Sequence, residues 1–226
     1  MEIWLIVLGW VLFAGTHIGM ATVRFRTSLV NKVGEQPFQG IYSLVALITF
    51  GFLIYAFVTA GTTEELVFEI GRKQIAVVTI SHLLMILGLI LFIGGFVNKT
   101  PMGMAPTEPK PFGITRITRH PMNMAFALFG LSHILVNRTA ADWAFYGGFV
   151  LYGYFGALHQ DKKKLHQAEN KLSDFISSTS IIPFAANLLK KQPLRLGEVS
   201  KVGIIAGIVV SIIARALHPE ILNQLF

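Results

Sequence analysis

The sequence predicts an all-α fold: a polytopic transmembrane helix bundle with about six spans, forming one integral membrane domain over residues 1–226. Three observations carry that expectation. Of the 226 residues 53% are hydrophobic and only 14% charged, too few charges to cover the surface of a soluble domain. The apolar residues come in blocks close to the ~20 residues a helix needs to cross a bilayer. The basic residues gather in alternate connecting loops, the pattern that orients membrane proteins.

The blocks place spans at Ile3–Thr22, Gly40–Ala60, Ile75–Val97, Pro121–Val136, Trp143–Leu158 and Val202–Leu217. The fourth and fifth are short for a bilayer, so extension, tilt or burial inside the bundle is expected of them. The loop Asn98–Arg119 holds Pro101, Pro106, Pro109 and Pro111 and cannot be one helix. After span five, DKKKLHQAENKLSDF reads as a polar helix at the membrane surface. TSIIPFAANLL then reads as an apolar segment lying on the membrane or tucked under the bundle.

Fifteen of the 19 Lys and Arg fall in the loops after spans one, three and five, Arg24, Arg119 and Lys163 among them; Arg72, Lys73, Arg138 and Arg215 fall on the other side. The positive-inside rule puts both termini outside the cytoplasm. Glu64, Glu65 and Glu69 then sit in an outer loop. The first basic residue is Arg24, so the N-terminus does not read as a cleaved signal peptide. The net charge of +7 is accounted for by these loops, and no nucleic-acid partner is expected. The expected partners are the lipid bilayer and a lipophilic small molecule.

There is no cysteine, which excludes disulfides, thiolate metal sites, iron–sulfur clusters, cysteine nucleophiles and thioether-attached haem. Any metal or haem must rest on His, Met, Tyr or carboxylates. Four of the seven histidines, His17, His82, His120 and His133, lie in or at the ends of spans, where ionisable groups are costly and tend to mark sites. At ~100° per residue, His17 shares a face with Trp10, Phe13, Ala14, Ala21 and Arg24, and His133 with Met122, Phe126, Phe129 and Gly130. Both are aromatic slots with a small residue close by, the shape a flat macrocycle with imidazole ligands requires. Arg24 is placed to pair with a propionate. Taken alone, these residues favour plain helix packing. Depth also divides the histidines: His17 and His133 are offset by about 15 Å along the membrane normal at 1.5 Å per residue, so depth pairs His17 with His120 and His82 with His133.

GITRITRHPMNMAF is the most distinctive segment. Arg116, Arg119 and His120 stand just before Pro121, which fits the first turn of span four. Cations at a helix N-terminus oppose its dipole, so an anion site (phosphate, carboxylate or propionate) is expected there. Positive-inside charge placement is the equal alternative.

Four patches resemble the NnrU family of bacterial membrane proteins, which includes the zeta-carotene isomerases. They are HIGMATVR (17–24) with GEQPFQGIYSLVAL (34–47), ITRHPMNMAFALFGLSH (117–133), DKK (161–163) and TSIIPFAA (179–186). The resemblance implies a bundle of six or seven helices and, for the isomerase branch, a non-covalent haem b. It assigns the haem ligands to His17 and His133, sets His120 in the RHP motif and matches His82 to an intramembrane histidine. Gly130 stands where the isomerases have a cysteine, and Tyr152 where they have a histidine. The implied role is redox or isomerase-like chemistry on a lipophilic substrate, or support of nitrogen-oxide metabolism. A looser resemblance is to isoprenylcysteine carboxyl methyltransferases and phospholipid methyltransferases, although Asp161-Lys162 replaces their Glu-Glu pair and the polar helix lacks tyrosine. A non-catalytic membrane factor is the third class.

The charge asymmetry makes a direct prediction: reporter fusions after Lys163 and after Arg72 give opposite compartment signals, and cytoplasmic signal from both overturns the topology.

Overall fold

Helices form where the apolar blocks lie, and most of their ends are set by local chemistry. The computed structural model describes residues 2–60, 74–103, 107–137, 139–168 and 171–225. Helix α1 (Glu2–Ala21) stops at Thr22, whose backbone is extended and whose hydroxyl donates to the Gly19 carbonyl (2.7 Å). Helix α2 (Val23–Val33) is short and polar, with no buried residue. It ends at Gly34, whose φ of 90° is open to glycine at little cost, and the chain turns directly into α3 (Glu35–Ala60). Helix α4 (Ile75–Val97) follows, then a loop with a 3-10 turn at Gly113–Arg116. Pro121 opens α5 (Pro121–Val136), a position where its missing N–H costs nothing. Thr139 and Asp142 cap α6 (Ala140–Gln167) reciprocally: the Asp142 N–H donates to the Thr139 hydroxyl (3.0 Å) and the Thr139 N–H to the Asp142 carboxylate (3.1 Å). Two short helices, α7 (Ser173–Ser178) and α8 (Ala185–Leu188), and a 3-10 turn at Leu196–Glu198 lead to α9 (Lys201–Leu225).

The all-α membrane bundle expected from the sequence is what forms. Among the described residues, four helices (α1, α3, α4 and α9) are long and apolar enough to cross a bilayer. Helix α5, at 16 residues, is about 24 Å long at 1.5 Å per residue. Two expectations need correction. Span two begins at Glu35 rather than Gly40. The polar helix after span five is not separate, because DKKKLHQ continues α6 to Gln167. Nothing between Leu158 and Gln167 breaks a helix, and Lys, Leu and Gln favour one; a change of polarity ends a span without ending its helix. The acidic loop of Glu64, Glu65 and Glu69, and Arg72, Lys73 and Arg138, lie outside the described residues.

The six long helices lie in a row, α3–α1–α6–α5–α4–α9. Close approaches follow glycines, as in membrane bundles generally. A Cβ on Gly148 would lie 2.0 Å from the Trp10 indole, and one on Gly207 2.8 Å from the Ile90 backbone. A Cβ on Gly130 would lie 2.3 Å from the Tyr146 carbonyl oxygen, so α5 and α6 meet backbone to backbone there. Two cores result. One gathers Trp10, Leu53, Phe145 and Phe149 between α1, α3 and α6. The other gathers Leu91, Ile114, Met124 and Ala157 between α4, α5, α6 and the basic loops.

Gly130→Ala is therefore predicted to destabilise the detergent-solubilised protein by about 1–3 kcal/mol, as overpacking typically does. Gly15→Ala, where an added Cβ meets nothing within 4 Å, is the reference. Equal thermal midpoints for the two variants would show that α5 and α6 are not in tight contact.

Candidate functional site

Helices α1 and α6 run side by side in parallel register. The Trp10 indole N–H donates to the Phe145 carbonyl (3.1 Å), and seven residues further on in both chains the His17 ring lies 6.0 Å from Tyr152. Helix α3 returns antiparallel along α1, with Phe50 5.1 Å from Phe13 and Tyr42 4.6 Å from His17, ring to ring. At one end α3 touches α6 through the stacked rings of Phe57 and Phe145, 4.1 Å apart. Toward the other end the two helices stand apart, and a side-opening cavity of about 480 Å³ fills the gap. Phe13 and His17 of α1, Tyr42 to Phe50 of α3, Phe126 of α5, and Phe149 and Tyr152 of α6 line it.

The lining is apolar apart from a few atoms. The Tyr42 hydroxyl donates to the His17 carbonyl (3.3 Å). His17 Nδ1 is buried without a hydrogen-bond partner, an arrangement native proteins seldom keep unless a ligand or water answers it. A neutral imidazole, two phenols and a slot of phenyl rings suit a flat or elongated apolar molecule held by one or two polar contacts.

The RHP segment builds a second constellation. Asp161 of α6 is its centre. Arg119 donates to it through Nε (3.1 and 3.2 Å) and Nη2 (2.7 Å), and His120 Nε2 lies 2.7 Å from its other face. His120 Nδ1 is 3.0 Å from Gln160 Oε1. Arg119 also donates to the Thr179 carbonyl (3.0 Å). The segment 179–184 pairs with the same loop: the Arg119 N–H donates to Ser180 (3.0 Å), the Thr118 hydroxyl to Ile181 (2.5 Å) and the Phe184 N–H to Ile117 (2.9 Å). Arg119, His120 and Asp161 are 8%, 2% and 7% exposed. Burial pushes the Asp161 carboxyl up, but the hydrogen bonds from His120 and Arg119 outweigh it and hold the group below its ordinary value. Arg116 has a carboxylate of its own, Glu198 (2.6 and 3.2 Å), held down to about 2 chiefly by that bond.

The site residues read from the sequence thus fall in three places. His17 lines the cavity. Arg116, Arg119 and His120 form the loop latch, where the anions are the chain's own carboxylates, and both nitrogens of His120 are engaged. His133 lies elsewhere. Its Nδ1 donates to the Phe129 carbonyl (2.8 Å) and its ring stacks 4.6 Å from Tyr146, which is six residues, or about 9 Å at 1.5 Å per residue, along α6 from Tyr152. His17 and His133 do not share a cavity, and His120 is not at the His17 cavity either. His82 is half-buried on α4, next to Ser81, whose hydroxyl donates to the Ser132 carbonyl (2.7 Å). Arg24 is exposed on α2: the break at Thr22 takes it off the His17 face, which a helical count across the break could not foresee. Among the described residues no group of three or more His, Cys, Asp or Glu is disposed to hold a metal ion. The sequence reading missed Tyr42 and the roles of Asp161 and Glu198. Asp161 left one signal, an acid set against three consecutive lysines.

Fold and site together define a helical integral membrane protein with an aromatic cavity that opens between α3 and α6. The chain belongs to the NnrU family, whose profile, described as "NnrU protein", matches residues 5–224. It is similar to the 15-cis-zeta-carotene isomerase, chloroplastic, of Zea mays, at 25% identity over 190 residues, 81% of this chain and 50% of the relative. The chain therefore spans about half the length of that relative. No solved structure matches it.

The latch predicts a pH dependence. A carboxyl depressed by folding stabilises fully above its unfolded value, about 3.9, and loses that contribution as the pH falls through its folded value. Thermal stability in detergent should therefore fall below about pH 4. Asp161→Asn should destabilise by about 3–5 kcal/mol at neutral pH, the usual result of stranding a buried partner, and should flatten the acid limb. An unchanged acid limb in Asp161→Asn would remove the latch from this role.

Proposed function

We propose that the protein is an isomerase-like membrane protein acting on an elongated lipophilic substrate that enters the α1–α3–α6 cavity sideways from the bilayer. The single observation that supports this most is that His17, whose buried Nδ1 has no hydrogen-bond partner, lines an otherwise apolar aromatic slot. A cis–trans isomerisation conserves every atom, so the site needs shape, exclusion of water and one or two polar groups at the reacting bond. The cavity has phenyl walls for the chain, with His17, Tyr42 and Tyr152 as those groups. The similarity to a carotenoid isomerase favours the same class. The proposed setting is the bacterial inner membrane, with the basic loops cytoplasmic and both termini periplasmic.

The same atom supports a haem b held through His17. The residues around the cavity fit one imidazole ligand in an apolar pocket, and they do not fit the pair His17 and His133. Bound there, the group would supply a redox-active iron. His17 would hold it, and the phenyl walls would keep water out. A methyltransferase reading is less well supported, because Arg119 and His120 are already engaged by Asp161.

The test uses purified protein in liposomes carrying a cis polyene such as 15-cis-zeta-carotene, assayed by chromatography in oxidised and reduced buffers. The wild type should convert it to the trans isomer, and His17→Ala should slow conversion at least about tenfold, while His166→Ala, at an exposed position, does not. A visible Soret band lost in His17→Ala and kept in His133→Ala supports the haem. A colourless wild type overturns the haem, and absence of both conversion and polyene binding overturns the isomerase reading.

A further inference from the structure

The face of α6 that lines the cavity continues past it. At 100° per residue, Phe149, Tyr152, His159 and Lys163 form one stripe. His159 and Lys163 lie seven and eleven residues beyond Tyr152, about 10 and 16 Å at 1.5 Å per residue. On α3 the seam continues from Tyr42 to Phe38, with rings 6.0 Å apart; Phe38 is buried, and the Arg26 guanidinium lies 5.6 Å over its ring. Beyond the end of the cavity at Tyr42 and Tyr152, the same helix faces therefore carry Phe38 and then the basic group of Arg26 from α2 and Lys163 and His159 from α6.

Charge at that end is unbalanced. Arg26 pairs with Glu35, a half-exposed bridge. Lys163 is half-buried and has no hydrogen bond or ion pair to a described residue. Burial, and then the nearby charges of Arg26 and Lys164, lower its proton affinity. Lys162 and Lys163 bear on His159 in the same way, and His159 Nε2 is buried without a partner. Placing cations together at the edge of a low-dielectric slot is costly unless an anion joins them. The other buried or half-buried cations at this end are answered internally: Arg119 by Asp161, Arg116 by Glu198, and Lys164 by the Gly103 carbonyl (2.6 Å); Arg24 and Lys162 are exposed to water.

We infer that the molecule taken into the cavity is a single-chain amphiphile, its apolar chain between Phe50, Phe149 and His17 and an anionic head, carboxylate or phosphate, at Arg26 and Lys163 with His159 beside it. This rests on the cavity reading proposed above and narrows its substrate class. Charge complementarity favours this occupant over a neutral hydrocarbon of the same shape, for which the cations would be a desolvation cost without return; a carotene then serves as a headless surrogate that fills the apolar slot alone.

The test measures two probes of one chain length, 9,10-dibromostearate and 9,10-dibromostearyl alcohol, by bromine quenching of Trp10, which packs against the cavity residues Phe13 and Phe149. The full-length protein is held in phosphatidylcholine nanodiscs at mildly alkaline pH, where the carboxylate is ionised. The acid should bind at least about tenfold more tightly than the alcohol, as a charge-assisted contact allows. Arg26→Gln and Lys163→Gln should each remove most of that preference and leave alcohol binding unchanged, which also shows that the variants fold. Lys163→Arg should keep the preference, as should Lys191→Gln at an exposed site. Equal affinity for the two probes overturns the anionic head and leaves the cavity reading standing. A preference abolished by phosphatidylglycerol in the disc also overturns it, by assigning the cations to bilayer lipid. Quenching no greater in the wild type than in Trp10→Phe overturns the cavity reading and this inference with it.

Discussion

Much of this molecule hangs on one carboxylate. Asp161 receives Arg119 and His120 from the loop before α5, and Arg119 in turn holds the Thr179 carbonyl. Three segments remote in sequence meet there: the 113–120 loop that opens α5, the far end of α6 and the 179–184 strap. A buried ion pair of this kind adds little net stability over an apolar replacement, because desolvating the charges offsets their attraction. Its value lies in what it forbids: with any one partner displaced, the others are stranded in an apolar surround.

The latch explains the shape of the cavity by contrast. From α6 through α5 and α4 to α9 the row is tight, fixed by Asp161 at one end and by glycine contacts along its length. The α1–α3 pair meets that row mainly through α1, and α3 reaches α6 through Phe57 against Phe145 and Phe50 against Phe149. Tight on one side and sparsely joined on the other, the seam leaves room for a guest between Tyr42 and Tyr152. Gly130, which resemblance to the isomerases marks as a departure, lies within the tight contact. Tyr152, the other departure, lies in the cavity. One change therefore concerns helix spacing and the other the chemistry of the slot.

The sequence showed the helices well, because apolar blocks and basic loops are local signals of the bilayer. It placed α4 and α5 to the residue. It failed where a boundary had no local mark. The lysines after Leu158 ended a span but not a helix, and the break at Thr22 came without proline, so the face shared by His17 and Arg24 was drawn across a discontinuity. The site was legible in part. His17 stood out because an imidazole within lipid is costly. Asp161 did not, because its partners lie 41 and 42 residues away and a pairing at that distance leaves no periodic trace. The arginines from which an anion site was expected meet carboxylates of the chain itself, Asp161 and Glu198.

That outcome sharpens the meaning of the cations left over. Where this protein needs a buried positive charge for its own architecture it supplies the anion, as Asp161 and Glu198 show. At the mouth of the cavity it supplies only Glu35, bonded to Arg26, and leaves Lys163 and the buried nitrogen of His159 unanswered. The same holds one step deeper, at Nδ1 of His17. Unsatisfied groups therefore lie along the seam, at His17 and again at the basic end beyond Tyr42 and Phe38, whereas the tight contacts of the latch are satisfied. Of the three buried side-chain atoms without a partner among the described residues, Asn187 Oδ1 lies beside the strap, and the other two, His17 Nδ1 and His159 Nε2, flank the seam; that pair marks the path of something that is not part of the chain.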